Sequence, residues 1–321
     1  MTEWSAEPYD DAGRETWNVL ARGARVPHFM FDRAYMEYHA DRFTDASLVV
    51  LRRGRPAALL PASRSGDVVT SHGGLTFGGL LGGGDLTAAR TLAALEAVVA
   101  TLRAGGARRL VYKAAPHVYH RVPAEEDLYA LTSLGARLTR RDLSAALAPA
   151  ERLPPHPTRG RNARAARASG LAVEEERAFE ELMEVVRGNL AERHGVAPTH
   201  DASEMRLLAD RFAEQIRLFA VRGHTGEILA GTVVYETPVV AHAQYIAATA
   251  GGRRLYALDL LFEDLVERRF AHKRWFDFGI STVEEGRVLN AGLARYKENF
   301  GARGVVYDHY ALELSSLPRD G

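Results

Sequence analysis

One short apolar segment constrains the fold of this 321-residue chain more than any other feature. It reads Trp275-Phe-Asp-Phe-Gly-Ile-Ser281. Side chains alternate across a strand, so Phe276 and Phe278 point to one face and Asp277 to the other. A strand of this kind lies in a packed sheet and leaves Asp277 and Ser281 at its carboxyl end. Open α/β sheets bind ligands just outside such ends, so these two residues are candidates for a site.

A second segment follows about fifteen residues later in the chain. It reads Leu293-Ala-Arg-Tyr-Lys-Glu-Asn-Phe-Gly-Ala302 and predicts a helix that carries Lys297 and ends at a Phe-Gly turn. We expect this helix to bring the amine of Lys297 to the end of the Trp275–Ser281 strand. A carboxylate, a hydroxyl and an amine would then meet there.

The length of the chain favours two domains, because single hydrophobic cores stop growing near roughly 250 to 300 residues. Four prolines between positions 149 and 157 mark the best linker. We therefore expect domains at 1–150 and 151–321. Each half reads as helices, a strand meander, a long helix and a strand, which suggests a duplicated unit. Among these elements we expect helices over 31–42 and 255–270.

Composition and charge exclude several classes of protein. The chain has no cysteine, which rules out disulfides, thiolate nucleophiles and cysteine-based zinc sites. Net charge is zero, so any nucleic-acid partner must use a local patch. Arg152–Ser169 offers one, with five arginines and no acidic residue. No secretory signal or apolar run of membrane-spanning length is evident, and we expect a cytoplasmic protein that does not bind membranes.

At several positions the chain resembles the FemAB-like acyltransferases of the GNAT superfamily, in which two GNAT folds occur in tandem. The resemblance runs from roughly Phe29 onward and rests on the order of its motifs rather than on any one of them. The matching segments are Arg161-Asn-Ala-Arg-Ala-Ala166 with Gly170, Arg193-His-Gly-Val196, the strand Ile228–Tyr235, the segment Asp277-Phe-Gly-Ile-Ser281, Tyr296-Lys-Glu-Asn-Phe-Gly301, and the Gly-rich run Ser71–Leu81.

The resemblance implies an α/β (α+β) fold of two tandem GNAT-like domains, each a mixed, mostly antiparallel twisted sheet flanked by helices. It also implies transfer of an acyl or aminoacyl group from an activated carrier to an amine, with no covalent intermediate, no metal and no tightly bound cofactor. The carrier is acyl-CoA in most GNAT enzymes and aminoacyl-tRNA in the Fem transferases that build peptidoglycan bridges.

Direct aminolysis needs an uncharged amine, a donor for the developing oxyanion and help for the leaving group. Lys297 is a candidate for holding the oxyanion or a phosphate, and Asp277 for accepting a proton from the amine or orienting it. Tyr245 is a candidate proton donor, and Ser281 could donate to the acceptor. Each has a structural alternative: a surface lysine, a strand-end ion pair, a packed tyrosine and a strand-terminating serine.

The donor could be held at the turn Thr249–Ala257, where Gly252, Arg253 and Arg254 are candidates for binding a phosphate. This turn lacks the spacing of the usual CoA loop, Arg/Gln-x-x-Gly-x-Gly/Ala. That departure, together with Arg161 and Arg164, favours aminoacyl-tRNA as the donor. Neutral net charge argues against tRNA and keeps acyl-CoA as the alternative.

The acceptor is expected to be an amine on a small molecule or peptide. Candidate residues for binding it lie in two segments of the first half, which a shared fold would bring to the rim between the domains; they are His72, Lys113, His117, Tyr119 and Arg121. The Gly73–Gly84 run has no nucleotide-loop spacing, so close backbone approach or acceptor binding explains it better.

Other kinds of function have weaker support in the sequence. His117 and His120 have a spacing that metals use, but no cysteine or His-Glu-x-x-His motif accompanies them, and we expect no metal. No Gly-x-Ser-x-Gly motif indicates a serine hydrolase. A GNAT-like protein that binds a ligand or partner without chemistry is the alternative from another class.

Overall fold

The computed structural model describes residues 3–194 and 197–316, so the predicted motif at 193–196 ends outside this part of the chain. The helices are α1 Arg14–Gly23, α2 Arg33–Met36, α3 Ala88–Ala104, α4 Glu126–Ser133, α5 Pro157–Ala168, α6 Phe179–His194, α7 Ala202–Arg211, α8 Ala250–Arg254, α9 Ala257–Asp264 and α10 Ala291–Glu298.

The strands alternate with these helices in the mixed α/β order that the resemblance implies. They are β1 Trp4–Pro8, β2 Thr44–Asp45, β3 Leu48–Arg52, β4 Arg55–Leu60, β5 Ser63–Ser65, β6 Val68–Thr70, β7 Leu81–Gly82, β8 Arg109–Lys113, β9 Arg137–Leu147, β10 Val173–Glu176, β11 Ile216–Arg222, β12 Ile228–Glu236, β13 Val240–Ala248, β14 Trp275–Ile280, β15 Thr282–Val283, β16 Val288–Leu289 and β17 Arg303–Glu313.

The chain divides into two compact units. The first runs to Asp142 and includes Glu284–Val288 and the segment from Val306 onward. The second comprises Leu143–Val283 and Leu289–Val305. The division therefore falls inside β9 and β17, and the described residues from Val306 to Ser316 group with the first unit. The proposed assignment of GNAT-like domains to 1–150 and 151–321 stays a prediction.

The first unit contains a four-stranded sheet, β1-β3-β4-β7, and the strand order β17-β8-β6-β5-β2. Its core gathers apolar side chains of the strands with those of α3, among them Leu95 and Val98. In the second unit the strand order is β10-β11-β12-β13-β14-β9. Each unit contains a parallel pair, β6–β8 in the first and β13–β14 in the second, and both pairs are joined by a connection that contains a helix. These matching connections are consistent with the duplicated unit that the sequence suggests.

The second unit buries a core of aromatic side chains beneath β14. Phe276 and Phe278 have their side chains in this core, with Phe262 of α9 and Phe300 beyond α10. Phe278 and Phe300 stack with their centroids 5.6 Å apart. Gly301 turns the chain at φ +90°, and a Cβ there would lie 2.1 Å from the carbonyl oxygen of Leu153. The Phe-Gly turn thus anchors α10 against β14.

Two predicted helices are shorter than expected. The helix expected over 31–42 is helical in the α form only at Arg33–Met36, and short 3-10 turns flank it on both sides. Asp32 caps its first turn by accepting a hydrogen bond from the amide of Ala34. The helix expected over 255–270 begins at Ala257, because Tyr256 adopts a left-handed φ of 56° that no helix continues through. Its last turn, Leu265–Arg269, is π-helical.

We expect Gly252→Ala to lower the free energy of unfolding by about 3 kcal/mol, because the added methyl group has no space. A Cβ at this position would lie 1.9 Å from the carbonyl oxygen of Leu229. The matched control is Gly188→Ala, where no atom lies within 4 Å of the new Cβ. Gly188 lies within α6, so its replacement should stabilise by about 0.5–1 kcal/mol. Denaturant unfolding of both variants measures the difference, and equal midpoints would contradict the packing.

Candidate active site

The parallel strands β13 and β14 bring a histidine beside the predicted aspartate. They pair through Val240–Trp275, Ala241–Phe276 and His242–Asp277, and the pairing ends there. Ala241 and Phe276 have their side chains in the aromatic core, so alternation places His242 and Asp277 together on the opposite face of the sheet. Two ionisable side chains therefore meet where the two strands stop pairing.

Asp277 is completely buried and accepts hydrogen bonds from three groups. The hydroxyl of Ser144 donates to Oδ1 at 2.6 Å, and the amide of Gly279 donates to the same oxygen at 3.0 Å. His242 lies with Nδ1 2.9 Å from Oδ2. Buried carboxylates need such partners, and this one has them from β9, β13 and its own strand.

Gly279 bends β14 at the point where Asp277 is held. Its φ is +78°, a left-handed value that glycine adopts without strain. The pairing of β14 with β9 shifts between Asp277 and Ile280, as it does at a bulge. Bulges re-aim side chains and end regular pairing. The Gly in Asp-Phe-Gly-x-Ser therefore allows the turn that brings its own amide to Asp277.

Lys297 reaches the same bend from α10, as the sequence predicts. Asn290 caps this helix by accepting from the amide of Leu293. The Nζ atom of Lys297 donates to the carbonyl oxygens of Gly279 and Ile280, each at 2.7 Å. Burial lowers the pKa of Lys297 to about 8, while the charge of Asp277 raises it. The amine therefore titrates closer to neutrality than an exposed lysine does.

Ser281 lies just beyond the bend, with its side chain 1% exposed. Its amide donates to the carbonyl of Leu143, and its own carbonyl accepts from the amide of Asn290. Its Oγ has no hydrogen-bond partner within residues 3–194 and 197–316. The backbone of Ser281 joins the end of β14 to the start of α10, and its hydroxyl is buried beside them.

Tyr245 faces the same side of the sheet as His242. Tyr245 pairs with Val233 and His242 with Tyr235, and residues two apart on β12 share a face. A bulge in β13 separates the two pairings. The hydroxyl of Tyr245 lies 2.6 Å from Nδ1 of His200, and burial raises its pKa to about 12. Tyr245 is thus a protonated hydroxyl throughout the physiological range.

In the predicted donor turn, Gly252 takes part in the helix cap, whereas Arg253 and Arg254 are exposed. The amide of Gly252 already donates to Oγ1 of Thr249, which caps α8. Arg253 donates to the carbonyl of Ala248 at 2.8 Å and is exposed, and Arg254 is exposed as well. The phosphate-binding role of these three residues stays a prediction.

The arginines of α5 divide into paired and unpaired side chains. Arg159 contacts Asp259 at 2.5 Å, and Arg167 contacts Glu263 at 2.6 Å. Arg161 and Arg164 are exposed and form no ion pair with any residue of the described chain. Only these two carry a charge that is not already neutralised by a neighbour on α9.

Of the five residues predicted for the acceptor, His72 and Lys113 are in contact. Lys113 donates to the carbonyl oxygens of His72 and Leu75, and burial, with a smaller contribution from Arg140, lowers the pKa of Lys113 to about 8. Burial lowers the pKa of His72 to about 3, which keeps its ring neutral.

The other three acceptor residues occupy different surroundings. Tyr119 is buried among aromatic rings and accepts a hydrogen bond from the hydroxyl of Tyr307 at 3.0 Å. His117 and Arg121 are exposed. Binding of an acceptor by these residues stays a prediction.

Close packing accounts for much of the Gly-rich run. A Cβ on Gly74 would lie 1.9 Å from Nε2 of His39, and one on Gly78 would lie 2.1 Å from the carbonyl oxygen of Ser71. Gly79 adopts a φ of +92° beside the hydroxyl of Tyr112. Close backbone approach, one of the two explanations given by the sequence, therefore explains these glycines.

Sequence reasoning missed His242, Ser144 and His200 as members of the site. Asp277 and His242 are 35 residues apart, and Ser144 is 133 residues from Asp277, so no local pattern joins them. One usable signal was present, because the polar side chain of His242 interrupts the apolar run Val239–Ala243. A histidine on a buried strand next to a site strand is a candidate in its own right.

No group of three or more metal-ligating side chains occurs in the described ranges, and none of their helices has the length and apolar character of a membrane span.

Part of the chain matches the model of a known domain family. Residues 158–298 match the acetyltransferase (GNAT) domain model, a range that contains His242, Asp277 and Lys297. A search of curated protein sequences finds no significant relative.

Solved structures share the fold at low sequence identity. FemX superposes with a TM-score of 0.67 at 12% identity, covering 96% of this chain and 97% of its own. The C-terminal domain of a putative lysylphosphatidylglycerol synthetase from Agrobacterium fabrum gives 0.61 at 14%, covering 94% and 91%. L-PGS from Bacillus licheniformis gives 0.55 at 13%, covering 81% and 82%. Residues 158–298 thus match an acetyltransferase domain of the GNAT type, and the chain has a FemAB-like fold.

Proposed function

We propose that this acyltransferase moves an aminoacyl group from aminoacyl-tRNA onto an amine of a small molecule or peptide, forming an amide bond by direct aminolysis. One observation carries the proposal: Asp277, His242 and Lys297 converge where β13 and β14 stop pairing. This cluster combines a proton acceptor with a cation in a largely buried site. Both are needed when an amine attacks an ester carbonyl.

The roles of the site residues follow from their surroundings. The bond between the amine nitrogen and the carbonyl carbon forms while negative charge develops on the carbonyl oxygen. Lys297 is a cation held at the bend of β14 by two carbonyls, and its remaining N–H can meet that charge. Tyr245 keeps its proton and can donate a hydrogen bond to the departing carrier oxygen. Ser281, with an unpaired hydroxyl, can donate to the acceptor.

Two features favour aminoacyl-tRNA over acyl-CoA as the donor. Arg161 and Arg164 present two unneutralised charges on one side of α5, as a phosphate backbone requires. The amide of Gly252 is committed to Thr249, so the turn offers a pyrophosphate one backbone donor fewer than a free loop does. Acyl-CoA, the carrier of most GNAT enzymes, is the alternative donor on the same site.

The donor is tested by offering the protein acetyl-CoA and a pool of charged tRNA in parallel, each with a mixed pool of amines. We expect mass spectrometry to show new amides from charged tRNA and saturable tRNA binding that weakens as salt rises. New amides from acetyl-CoA, with no salt-dependent binding of tRNA, would show that acyl-CoA is the donor. The proposed reaction, direct aminolysis, would then still stand. No amide from either carrier would leave only the ligand-binding alternative and refute the proposal.

A further inference from the structure

The carboxylate of Asp277 is in a poor position to touch a substrate. Its side chain has no exposed surface, and both of its oxygens are occupied, Oδ1 by Ser144 and Gly279 and Oδ2 by His242. An incoming amine would have to displace one of these partners and leave it buried without a bond, which costs about 1–3 kcal/mol. The geometry therefore argues against Asp277 as the group that takes the proton.

Among the partners of Asp277 described above, His242 is a titratable side chain with accessible surface. Its side chain is 11% exposed, whereas that of Asp277 is 0% exposed. It lies on β13 at the last residue pair before the strands stop pairing, on the face away from the aromatic core. An imidazole in this place can contact a substrate while it keeps its bond to the carboxylate.

The hydrogen bonds around Asp277 determine which ring nitrogen of His242 carries the proton. The amide of Gly279 can only donate, so Oδ1 of Asp277 must accept. An ionised carboxylate accepts at Oδ2 as well, and Nδ1 of a neutral His242 must then carry the hydrogen. The other nitrogen, Nε2, is consequently the basic one. This is the tautomer that a general base needs.

Two other titratable groups of this site have different positions. Lys297 is 2% exposed and directs two N–H groups to the carbonyls of Gly279 and Ile280. The hydroxyl of Tyr245 is bonded to His200 and keeps its proton. Neither is arranged to receive a proton from an incoming amine.

We infer that His242 is the catalytic base of the transfer and that Asp277 is its positioning residue. This inference rests on the proposed function and specifies how its site works. The amine nitrogen attacks the carbonyl carbon, and Nε2 of His242 removes one N–H proton as the C–N bond forms. The tetrahedral intermediate collapses, the carbon–oxygen or carbon–sulfur bond to the carrier breaks, and the carrier leaves with a proton returned from the imidazolium. Asp277 keeps its hydrogen bond to Nδ1 throughout.

His242→Asn removes the basic ring nitrogen and keeps the hydrogen bond to Asp277. The amide nitrogen of asparagine can replace Nδ1 and donate to Asp277, so the hydrogen bond survives while Nε2 is lost. We expect kcat to fall by about 10²- to 10⁴-fold with the KM for the donor unchanged. His28→Asn is the matched control, because His28 is also buried and uses Nδ1 in a local hydrogen bond, to the amide of Met30. It should keep the wild-type kcat.

Asp277→Asn tests the positioning role through the tautomer. Gly279 and Ser144 both donate toward Oδ1, so the amide oxygen should take that place and its NH₂ group should face His242. Nδ1 must then accept, and the proton moves to Nε2. Two-dimensional ¹H–¹⁵N spectra of labelled protein should show protonated Nδ1 in the wild type and protonated Nε2 in the variant. The double variant should lose no more activity than either single one.

These measurements separate the inference from the proposed function. If the wild type forms amides and His242→Asn forms them as fast, the inference is wrong and the function stands. A wild-type spectrum with the proton on Nε2 also overturns the inference, whatever the activity. If the wild type forms no amide from either carrier, the proposed function fails, and the spectra report only on the hydrogen bond.

Discussion

Lys297→Met is expected to reduce kcat by about 10²- to 10³-fold, the usual cost of losing a group that stabilises an oxyanion. Methionine has a similar length, so the loss should reflect the missing amine rather than a cavity. The control is Lys273→Met, which removes another largely buried lysine of the same unit, one paired with Glu236 at 2.8 Å. It should keep the wild-type kcat. Unchanged turnover in Lys297→Met would show that Lys297 only holds the end of β14 in place and does not stabilise the oxyanion.

The same variant should change how stability depends on pH. Burial lowers the pKa of Lys297 to about 8 from the ordinary value of 10.5. The unfolded chain then binds more protons between about pH 8 and 10.5, so the free energy of unfolding rises with pH in that window. This group contributes about 3 kcal/mol to the rise, at 1.36 kcal/mol per unit. Lys297→Met should lack that contribution.

Lys113 provides the comparison for this pH effect, since it is also buried, clamps two backbone carbonyls and has a pKa lowered to about 8. Lys113→Met should therefore remove a similar part of the rise. Denaturant unfolding between pH 7 and 10.5 measures all three proteins. A variant as pH-dependent as the wild type would contradict the buried position of its lysine.

The sequence predicts the part of the site that local geometry determines. Alternation along β14 correctly separates Asp277 from Phe276 and Phe278, and α10 brings Lys297 to the end of this strand as expected. Both conclusions need only the period of a strand and the presence of a helix about fifteen residues later. They depend on no contact between distant segments.

The local sequence pattern could not predict the partners of Asp277, because these residues lie on other strands. Ser144 lies on β9 and His242 on β13, and their positions follow from the order and register of the sheet. Register depends on how whole faces pack, which a single sequence does not reveal. The sequence therefore predicted an aspartate that acts on the substrate. In the structure, hydrogen-bonding groups of the protein surround Asp277 instead.

Glycines illustrate a second limit of sequence reasoning. A Gly-Gly pair beside two arginines, as at Gly252, is compatible with a phosphate loop and with a close contact between backbones. The carbonyl of Leu229, 1.9 Å from the place of a Cβ, accounts for the glycine without any ligand. That carbonyl lies on β12, more than twenty residues earlier, and leaves no trace in the turn itself.

The two unpaired arginines of α5 provide the sharpest test of the donor. If Arg161 and Arg164 each contact a tRNA phosphate, replacing both by alanine releases about two fewer counterions on binding. The plot of log affinity against log salt should then be flatter by about 1.5, and affinity at low salt should fall by roughly 10- to 100-fold. Residues three apart on a helix share a face, so one phosphate backbone can reach both.

Arg167→Ala is the matched control for this experiment. It lies on the same helix, but its charge is already neutralised by Glu263 at 2.6 Å, so its loss should leave the salt dependence of tRNA binding unchanged. Filter binding of charged tRNA over a salt series measures both variants. If the slope of log affinity against log salt is unchanged in the Arg161→Ala/Arg164→Ala protein, these arginines do not contact tRNA phosphates. A rise in the KM for acetyl-CoA in that protein would assign them instead to the phosphates of CoA.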